Sequence, residues 1–268
     1  MNFFSLSFLF LLTGLVAIAY FQLVPNHIEL NKRLPNKISP AGLILLAVII
    51  AAVWHIISIS DGRPHFGLIS TLVFALLFFE SMFLILLRWI KSNIVAVLAS
   101  LFLSMITFLW FGNSASFALI NSIIIIATLG ATTLLIRMNY LRTRLMFVIA
   151  ILWTIYDIMA VNYIFPKIFV PTDTPQPNLM FPAVTVGNLS LGSGDFMFLT
   201  LFTLIILKDH GRLSALILVV GQTIGLIATG LFLPEQGFHV PFLVVMTPIF
   251  FLIHFLAKKL KLPLGQPG

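Results

Sequence analysis

Long, uninterrupted apolar runs constrain the fold of this chain more than any other feature of its sequence. A helix of about 20 apolar residues crosses the hydrocarbon core of a bilayer. The nine runs of about this length therefore predict nine transmembrane helices, at about residues 3–24, 40–60, 67–89, 94–112, 115–136, 145–165, 190–207, 213–233 and 240–257. Only 9% of the residues are charged, against roughly 25% in a soluble domain. We predict an all-α, multi-pass integral membrane protein.

The basic residues predict how these helices are oriented. Thirteen of the 15 Lys and Arg residues lie after the first, third, fifth and seventh runs or in the C-terminal tail. The positive-inside rule then puts the N-terminus outside and the C-terminus inside. The net charge of +7 needs no nucleic-acid partner, because no basic stripe with interleaved aromatic residues follows a phosphate backbone. The first run is too long for a signal-peptide core, so we predict that it is retained as a helix.

We interpret residues 1–268 as a single polytopic membrane domain. Helices one to six occupy about residues 3–165, a proline-rich loop covers 166–189, and helices seven to nine occupy about 190–257. Proline keeps the loop from being helical, and residues 180–186 within it have strand-like composition. The sequence has no cysteine, which excludes disulfides, thiolate metal sites and a cysteine nucleophile. No metal and no cofactor is predicted.

Three acidic residues, Glu80, Asp157 and Asp195, lie inside apolar runs. An ionisable group there costs about 2.5–3.5 kcal/mol on insertion scales and marks a functional site by default. Asp157 is close to the outer end of the sixth run and Asp195 is close to the outer start of the seventh. At about 1.5 Å per residue, both lie roughly 10 Å beneath the outer edge. Consecutive helices are usually neighbours, so the two carboxylates are expected to face each other.

Two facing carboxylates in a low-dielectric site share a proton and titrate as a pair. Such a pair suits peptide hydrolysis, in which one acid activates water and the other protonates the carbonyl oxygen. Gly192 and Gly194 are expected to let another backbone approach the acid closely. From spacing alone, a proton or cation relay in a transporter is an equal alternative. A non-catalytic protein that binds membrane helices is a third.

The residues around the two acids resemble the paired motifs of a known family. The sixth run contains Tyr156-Asp157, and the seventh contains Gly192-Ser193-Gly194-Asp195. Together they are similar to the YD and GxGD motifs of the presenilin and signal peptide peptidase family of intramembrane aspartyl proteases. The family's third motif, Pro-Ala-Leu at the start of the ninth helix, is matched by Pro241-Phe242-Leu243, in which phenylalanine replaces alanine.

The resemblance implies a presenilin-like fold and a role for each matched position. Asp157 and Asp195 are the implied catalytic pair, and Tyr156 packs or forms a hydrogen bond beside them. The residues implied to shape the site or contact substrate are Gly192, Ser193, Gly194, Pro241, Phe242, Leu243, Met180, Phe181 and Val184. The implied partners are the lipid bilayer and transmembrane-helix substrates of type II or signal-peptide-like orientation. No obligate partner subunit is expected, and in a microbe the protein is expected in the cell membrane.

Several polar or small residues in the runs lie outside these motifs. We interpret Glu80 as structural, either paired with a polar group on another helix or protonated. Gly221 and Gly225 form a GxxxG pattern, which predicts close helix packing. His55 and His254 lack a metal-ligand partner at helical spacing, so we interpret both as buried or interfacial polar residues.

Overall fold

A computed structural model of the protein describes residues 2–24, 63–113, 116–137, 141–159, 183–186, 189–232 and 242–260. Apart from one two-stranded hairpin, these residues form helices: α1 (Asn2–Leu23), α2 (Arg63–Trp89), α3 (Asn93–Asn113), α4 (Phe117–Arg137), α5 (Thr143–Met159), α6 (Ser193–Phe232) and α7 (Leu243–Leu260). The strands are β1 (Ala183–Val186) and β2 (Leu189–Gly192). Within the described residues, four helices are long and apolar enough to cross a membrane: α1, α4, α6 and α7.

The helix boundaries follow the apolar runs closely, with one correction. The short break predicted between the fourth and fifth runs is confirmed, because α3 ends at Asn113 and α4 begins at Phe117. The second run, at about 40–60, lies outside the described residues. The seventh helix was predicted to start near residue 190, but residues 189–192 are strand β2 and α6 begins at Ser193. Leucine alternates with a polar residue in Leu189-Ser190-Leu191, a period of two that suits a strand.

The two strands form an antiparallel hairpin that ends where α6 begins. Val184 pairs with Leu191 and Ala183 pairs with Gly192. The strand-like composition predicted for residues 180–186 is confirmed for β1; residues 180–182 lie outside the described part of the chain. β1 packs on α1 and α4, and the Val184 side chain is fully buried. The hairpin therefore fixes the start of α6 against the bundle.

Helix α6 covers the seventh and eighth apolar runs and is broken at one residue. Gly211 has φ 83° and ψ −179°, a backbone conformation that residues with a Cβ rarely adopt. The break divides α6 into a first arm, residues 193–210, and a second arm, residues 212–232. Phe196 of the first arm contacts Phe10 of α1, while Gly230 of the second arm lies against Phe3 of α1. Both far ends reach the N-terminal half of α1, so the chain reverses direction at Gly211.

The C-terminal ends of α1, α2 and α4 meet at one face of the bundle. Arg88, near the end of α2, donates a hydrogen bond to the Leu23 carbonyl oxygen over 3.1 Å. Arg137, at the end of α4, donates to the Val24 carbonyl oxygen over 3.2 Å, and its guanidinium lies 4.0 Å from the centre of the Phe21 ring. The two cations thus cap carbonyl groups that a helix end leaves unpaired.

The reversal of α6, the start of α5 and the second half of α7 lie close together. Thr143, the first residue of α5, donates its hydroxyl hydrogen to Asp209. His210 Nε2 lies 2.9 Å from His254 Nδ1 of α7. Because the short connection 138–142 joins α4 to α5, these groups belong to the same face as Arg88 and Arg137. We call this end of the bundle the basic face.

Small residues allow the closest helix contacts. A Cβ built on Gly130 of α4 would lie 2.7 Å from the Ser81 Cα atom of α2. At this crossing the Ser81 hydroxyl donates to the Ile126 carbonyl oxygen over 2.7 Å, and the Tyr20 hydroxyl of α1 donates to the Ser81 carbonyl oxygen over 2.9 Å. Ser81 therefore joins three helices where their backbones approach.

The GxxxG pattern of α6 also lies in a helix interface, as predicted. A Cβ on Gly225 would lie 2.7 Å from Val245 Cγ1, and one on Gly221 would lie 3.3 Å from Ile249 Cγ2, both on α7. The second arm of α6 thus packs directly against α7. This packing sets where α7 begins relative to α6.

Candidate functional site

Asp157 lies near the end of α5 and is held by α7. Along the α5–α7 interface, the Thr154 and Thr247 hydroxyl oxygens are 2.9 Å apart. One helical turn beyond Thr154, the Asp157 carboxylate accepts a hydrogen bond from the backbone N–H of Leu243. Leu243 is the first residue of α7, so its N–H has no partner within the helix. The positive end of α7 therefore stabilises a negative charge on Asp157.

Asp195 is the third residue of α6, directly after the hairpin. Its carboxylate accepts a hydrogen bond from the Gly192 backbone N–H. A Cβ built on Gly192 would lie 3.4 Å from Asp195 Oδ2, which is ordinary van der Waals contact. The turn from β2 into α6 thus directs the Asp195 carboxylate towards Gly192 and fixes its orientation.

The two carboxylates lie within electrostatic range of each other. Both side chains are partly exposed. Within the described part of the chain, Asp157 Oδ2 is a buried atom that has no hydrogen-bond partner. A buried, unpaired oxygen is costly, and protonation of one acid would lower that cost. Two interacting carboxylates favour a state in which one is protonated and the other is ionised.

The contacts that bring the acids together differ in part from the sequence-based argument. That argument relied on α5 and the first arm of α6 being neighbours. These elements do meet, through the Trp153 and Phe198 rings, whose centroids are 6.0 Å apart, and through Thr143 and Asp209. The more extensive backbone packing of α5, however, is against α7.

Tyr156 is partly buried beside Asp157 and packs on the ring of Trp153. The ring centroids are 5.7 Å apart and the planes are tilted by 52°. Because Trp153 in turn contacts Phe198 of α6, the tyrosine belongs to a row of rings between α5 and α6. Its position favours packing over a direct hydrogen bond to the acid.

Gly194 and Ser193 lie at the open side of the site. Gly194 is exposed, and no atom of the described chain lies within 4 Å of a Cβ built on it. The close backbone approach predicted at Gly194 is not made by any described residue and stays a prediction. Ser193, the first residue of α6, is partly exposed. Among the described residues, none covers the main chain at Gly194, beside Asp195.

The third motif contributes its backbone more than its side chains. Phe242 and Leu243 are buried, with 4% and 2% of their surfaces exposed, so their side chains face the core; that they border a substrate cleft stays a prediction. The carbonyl oxygen of Phe242 accepts hydrogen bonds from the N–H groups of Val245 and Met246. Pro241, Met180 and Phe181 lie outside the described residues. Val184 is buried by the hairpin and faces the bundle.

The remaining polar residues of the runs lie away from the two acids. Glu80 is partly buried in α2, which packs against α1, α3 and α4. Its Oε1 atom has no hydrogen-bond partner among the described residues. His254 does have a partner, His210, which sequence spacing missed because it comes from another helix. His55 lies outside the described residues. No group of three or more His, Cys, Asp or Glu side chains within the described chain is placed to hold a metal.

Comparisons of the sequence with known protein families and with curated proteins give no match. The functional argument therefore rests on the motifs and on the geometry of the two acids.

Proposed function

We propose that this protein is an intramembrane aspartyl protease that hydrolyses peptide bonds within transmembrane helices. The observation that carries the proposal is the pairing of Asp157 and Asp195, two acids from different helices that interact electrostatically and remain partly exposed. Asp157 accepts a hydrogen bond from the backbone N–H of Leu243, the first residue of α7, and Asp195 accepts one from Gly192, the last residue of β2. Acids in apolar helices are costly and are retained where they act.

The proposed reaction uses the pair as one acid and one base. The ionised carboxylate takes a proton from a water molecule, whose oxygen attacks the carbon of the scissile carbonyl. The protonated carboxyl donates its proton to the carbonyl oxygen, which gives a neutral gem-diol. The C–N bond then breaks as one diol hydroxyl returns a proton and the leaving nitrogen accepts one. The acids titrate as a pair, and the N–H of Leu243 favours Asp157 as the ionised member.

The proposal includes nine transmembrane helices, with the N-terminus outside and the C-terminus inside. The capping of α1 by Arg88 and Arg137 supports it, because it brings the ends of α1, α2 and α4 to one basic face. At about 1.5 Å per residue, α2 is roughly 40 Å long. Residue 24 at one face and residue 63 at the other are thus separated by one membrane thickness, as a second crossing requires. The positive-inside rule makes the basic face the inner one.

Substrate binding is proposed to occur at the open side of the site. A helical peptide bond is shielded by its own hydrogen bonds, so the helix must unwind before water can attack. The outer edges of β1 and β2 are unpaired among the described residues, and strand addition would replace the hydrogen bonds that a substrate loses. With the acids in the outer half of the bundle, we propose substrates of type II orientation, in a cell membrane if the protein is microbial. No partner subunit is required.

Cleavage of a type II transmembrane peptide by the purified chain in detergent tests the proposal. The variants are Asp157→Asn and Asp195→Asn, which keep the side-chain volume and remove the charge. Glu80→Gln is the matched control, because it changes an acid of the same kind in a helix remote from the pair. We expect the unmodified chain and Glu80→Gln to cleave the peptide and both aspartate variants to be inactive.

Two results would reject the protease. Equal cleavage by all four proteins assigns the activity to a contaminant. No cleavage by any of them, with the peptide bound, favours a protein that holds membrane helices without cutting. Proton-coupled flux in liposomes that disappears in Asp157→Asn would instead support a transporter that uses the pair as a relay.

A further inference from the structure

Three phenylalanine rings from separate parts of the chain meet at the segments that begin α6 and α7. Phe10 of α1 packs edge-on against Phe196 of α6, with ring centroids 5.5 Å apart and planes at 69°. It also packs edge-on against Phe242, at 5.3 Å and 79°. Phe10 and Phe196 are fully buried, and Phe242 is 4% exposed. We call these residues the Phe10 cluster.

Phe196 and Phe242 are each adjacent in sequence to a residue of the site. Phe196 directly follows Asp195 in α6. Phe242 directly precedes Leu243, whose N–H donates to Asp157. The Phe10 side chain of α1 therefore contacts the sequence neighbours of Asp195 and of Leu243, whose N–H binds Asp157. Edge-to-face ring contacts have a preferred geometry, so the ring of Phe10 restricts the positions of Phe196 and Phe242.

We propose that Phe10 is a positioning residue that holds the start of α7 at a fixed distance from the start of α6, and so fixes the separation of the two carboxylates. The expected effect on catalysis rests on the proposed function. The expected effect on the separation of the two carboxylates does not. Reacting groups displaced by about 1 Å can lose on the order of 100-fold in rate. The substrate-facing side of the site, at Gly194, is not part of the cluster, so substrate affinity should change little.

The same contact explains the phenylalanine in the third motif. Where the resemblance leads one to expect alanine, the ring of Phe242 extends into the core and meets Phe10. Residues in direct contact give non-additive effects when both are changed. Phe10→Ala and Phe242→Ala should therefore each impair the site, and the double variant should be little worse than either one.

The test compares Phe10→Ala with a matched control, Phe78→Ala. Phe78 is 4% exposed and packs edge-on against Phe108 at 6.2 Å, but it lies in α2, away from the acids. Both variants should lower the melting temperature in detergent. Only Phe10→Ala should lower kcat, by about 10- to 100-fold, with KM changed by less than about 3-fold. Its pH–rate profile should also shift, because the coupling of the acids depends on their separation.

A distance measurement keeps the test independent of activity. The chain has no cysteine, so spin labels introduced with Met159→Cys and Ser193→Cys report only the ends of α5 and α6 that carry the acids. We expect Phe10→Ala to broaden or shift the dipolar distance distribution between the labels, and Phe78→Ala to leave it unchanged.

The kinetic assay and the label distance together test the protease and the positioning role of Phe10 separately. An inactive unmodified chain whose label distance still responds to Phe10→Ala rejects the protease and retains the positioning role. An active chain in which Phe10→Ala leaves both kcat and the label distance equal to those of Phe78→Ala overturns the positioning role and retains the protease. Multiplicative losses in the double variant would also overturn the proposed coupling of Phe10 and Phe242.

Discussion

Replacing Gly130 with alanine should push α2 and α4 apart. The new methyl group would lie 2.7 Å from the Ser81 Cα atom and would also overlap its Oγ atom. Carbon atoms in contact prefer about 3.5–4.0 Å, and a backbone atom cannot rotate away, so the helices must separate by roughly 1 Å. The hydrogen bond from Ser81 to the Ile126 carbonyl oxygen, now 2.7 Å long, would then exceed the usual range.

The cost follows from these distances. Overpacking of a core costs about 1–3 kcal/mol, and alanine recovers roughly 0.5–1 kcal/mol over glycine within a helix. We expect a net loss of about 1–2 kcal/mol, or about 2–8 °C in melting temperature for a chain of this size. Thermal unfolding in detergent measures it, with Gly221→Ala as control, because that methyl group would meet its neighbour at 3.3 Å. Equal melting temperatures for the two variants would refute the close approach at Ser81.

Two further changes test the packing around the site. Gly225→Ala should destabilise the fold by about 1 kcal/mol more than Gly221→Ala, because its methyl group would lie 2.7 Å from Val245 Cγ1 and 2.9 Å from Ile249 Cδ1. Val245→Ala in the same chain removes the first of these overlaps and should recover part of the lost melting temperature, and no recovery would contradict the contact. Thr143→Val should cost about 1–2 kcal/mol by removing the hydroxyl that donates to Asp209, whereas Asp209→Asn, which keeps an acceptor oxygen, should cost less. Thermal unfolding at neutral pH compares them, and the reverse order would argue against this hydrogen bond.

The sequence predicts the helices well because apolar run length is a direct physical requirement of a bilayer. The boundary between α3 and α4 and the strand at Ala183–Val186 were both readable from composition. The start of α6 was misplaced by three residues, because leucine-rich segments suit a buried strand and a membrane helix equally. A period of two over only four residues is too short to separate these possibilities.

Contacts between helices were harder to predict, and most of the site's support depends on them. In a soluble helix the apolar face identifies the core, but in a membrane helix lipid-facing and core-facing positions are both apolar, so that signal is lost. Nothing distinguishes Phe10 from the other 26 phenylalanines in the sequence. The pairing of His210 with His254 and the packing of α5 against α7 likewise join residues distant in sequence. The acids themselves were identifiable because a charge in an apolar run stands out.

Under the proposed membrane topology, the reversal at Gly211 bears on how the protein would enter its membrane. A chain that turns back at one residue presents both arms of α6 to the bilayer as a helical hairpin, and a hairpin can insert as one unit. In that topology, Asp195 would cross almost the full thickness of the bilayer to reach the outer side. The insertion cost of one such acid is about 2.5–3.5 kcal/mol. It would then be offset by the favourable insertion of apolar side chains from two arms instead of one. Because of this one glycine, the apolar side chains of both arms, in a helix of 40 residues, would together offset the cost of moving one carboxylate across the bilayer.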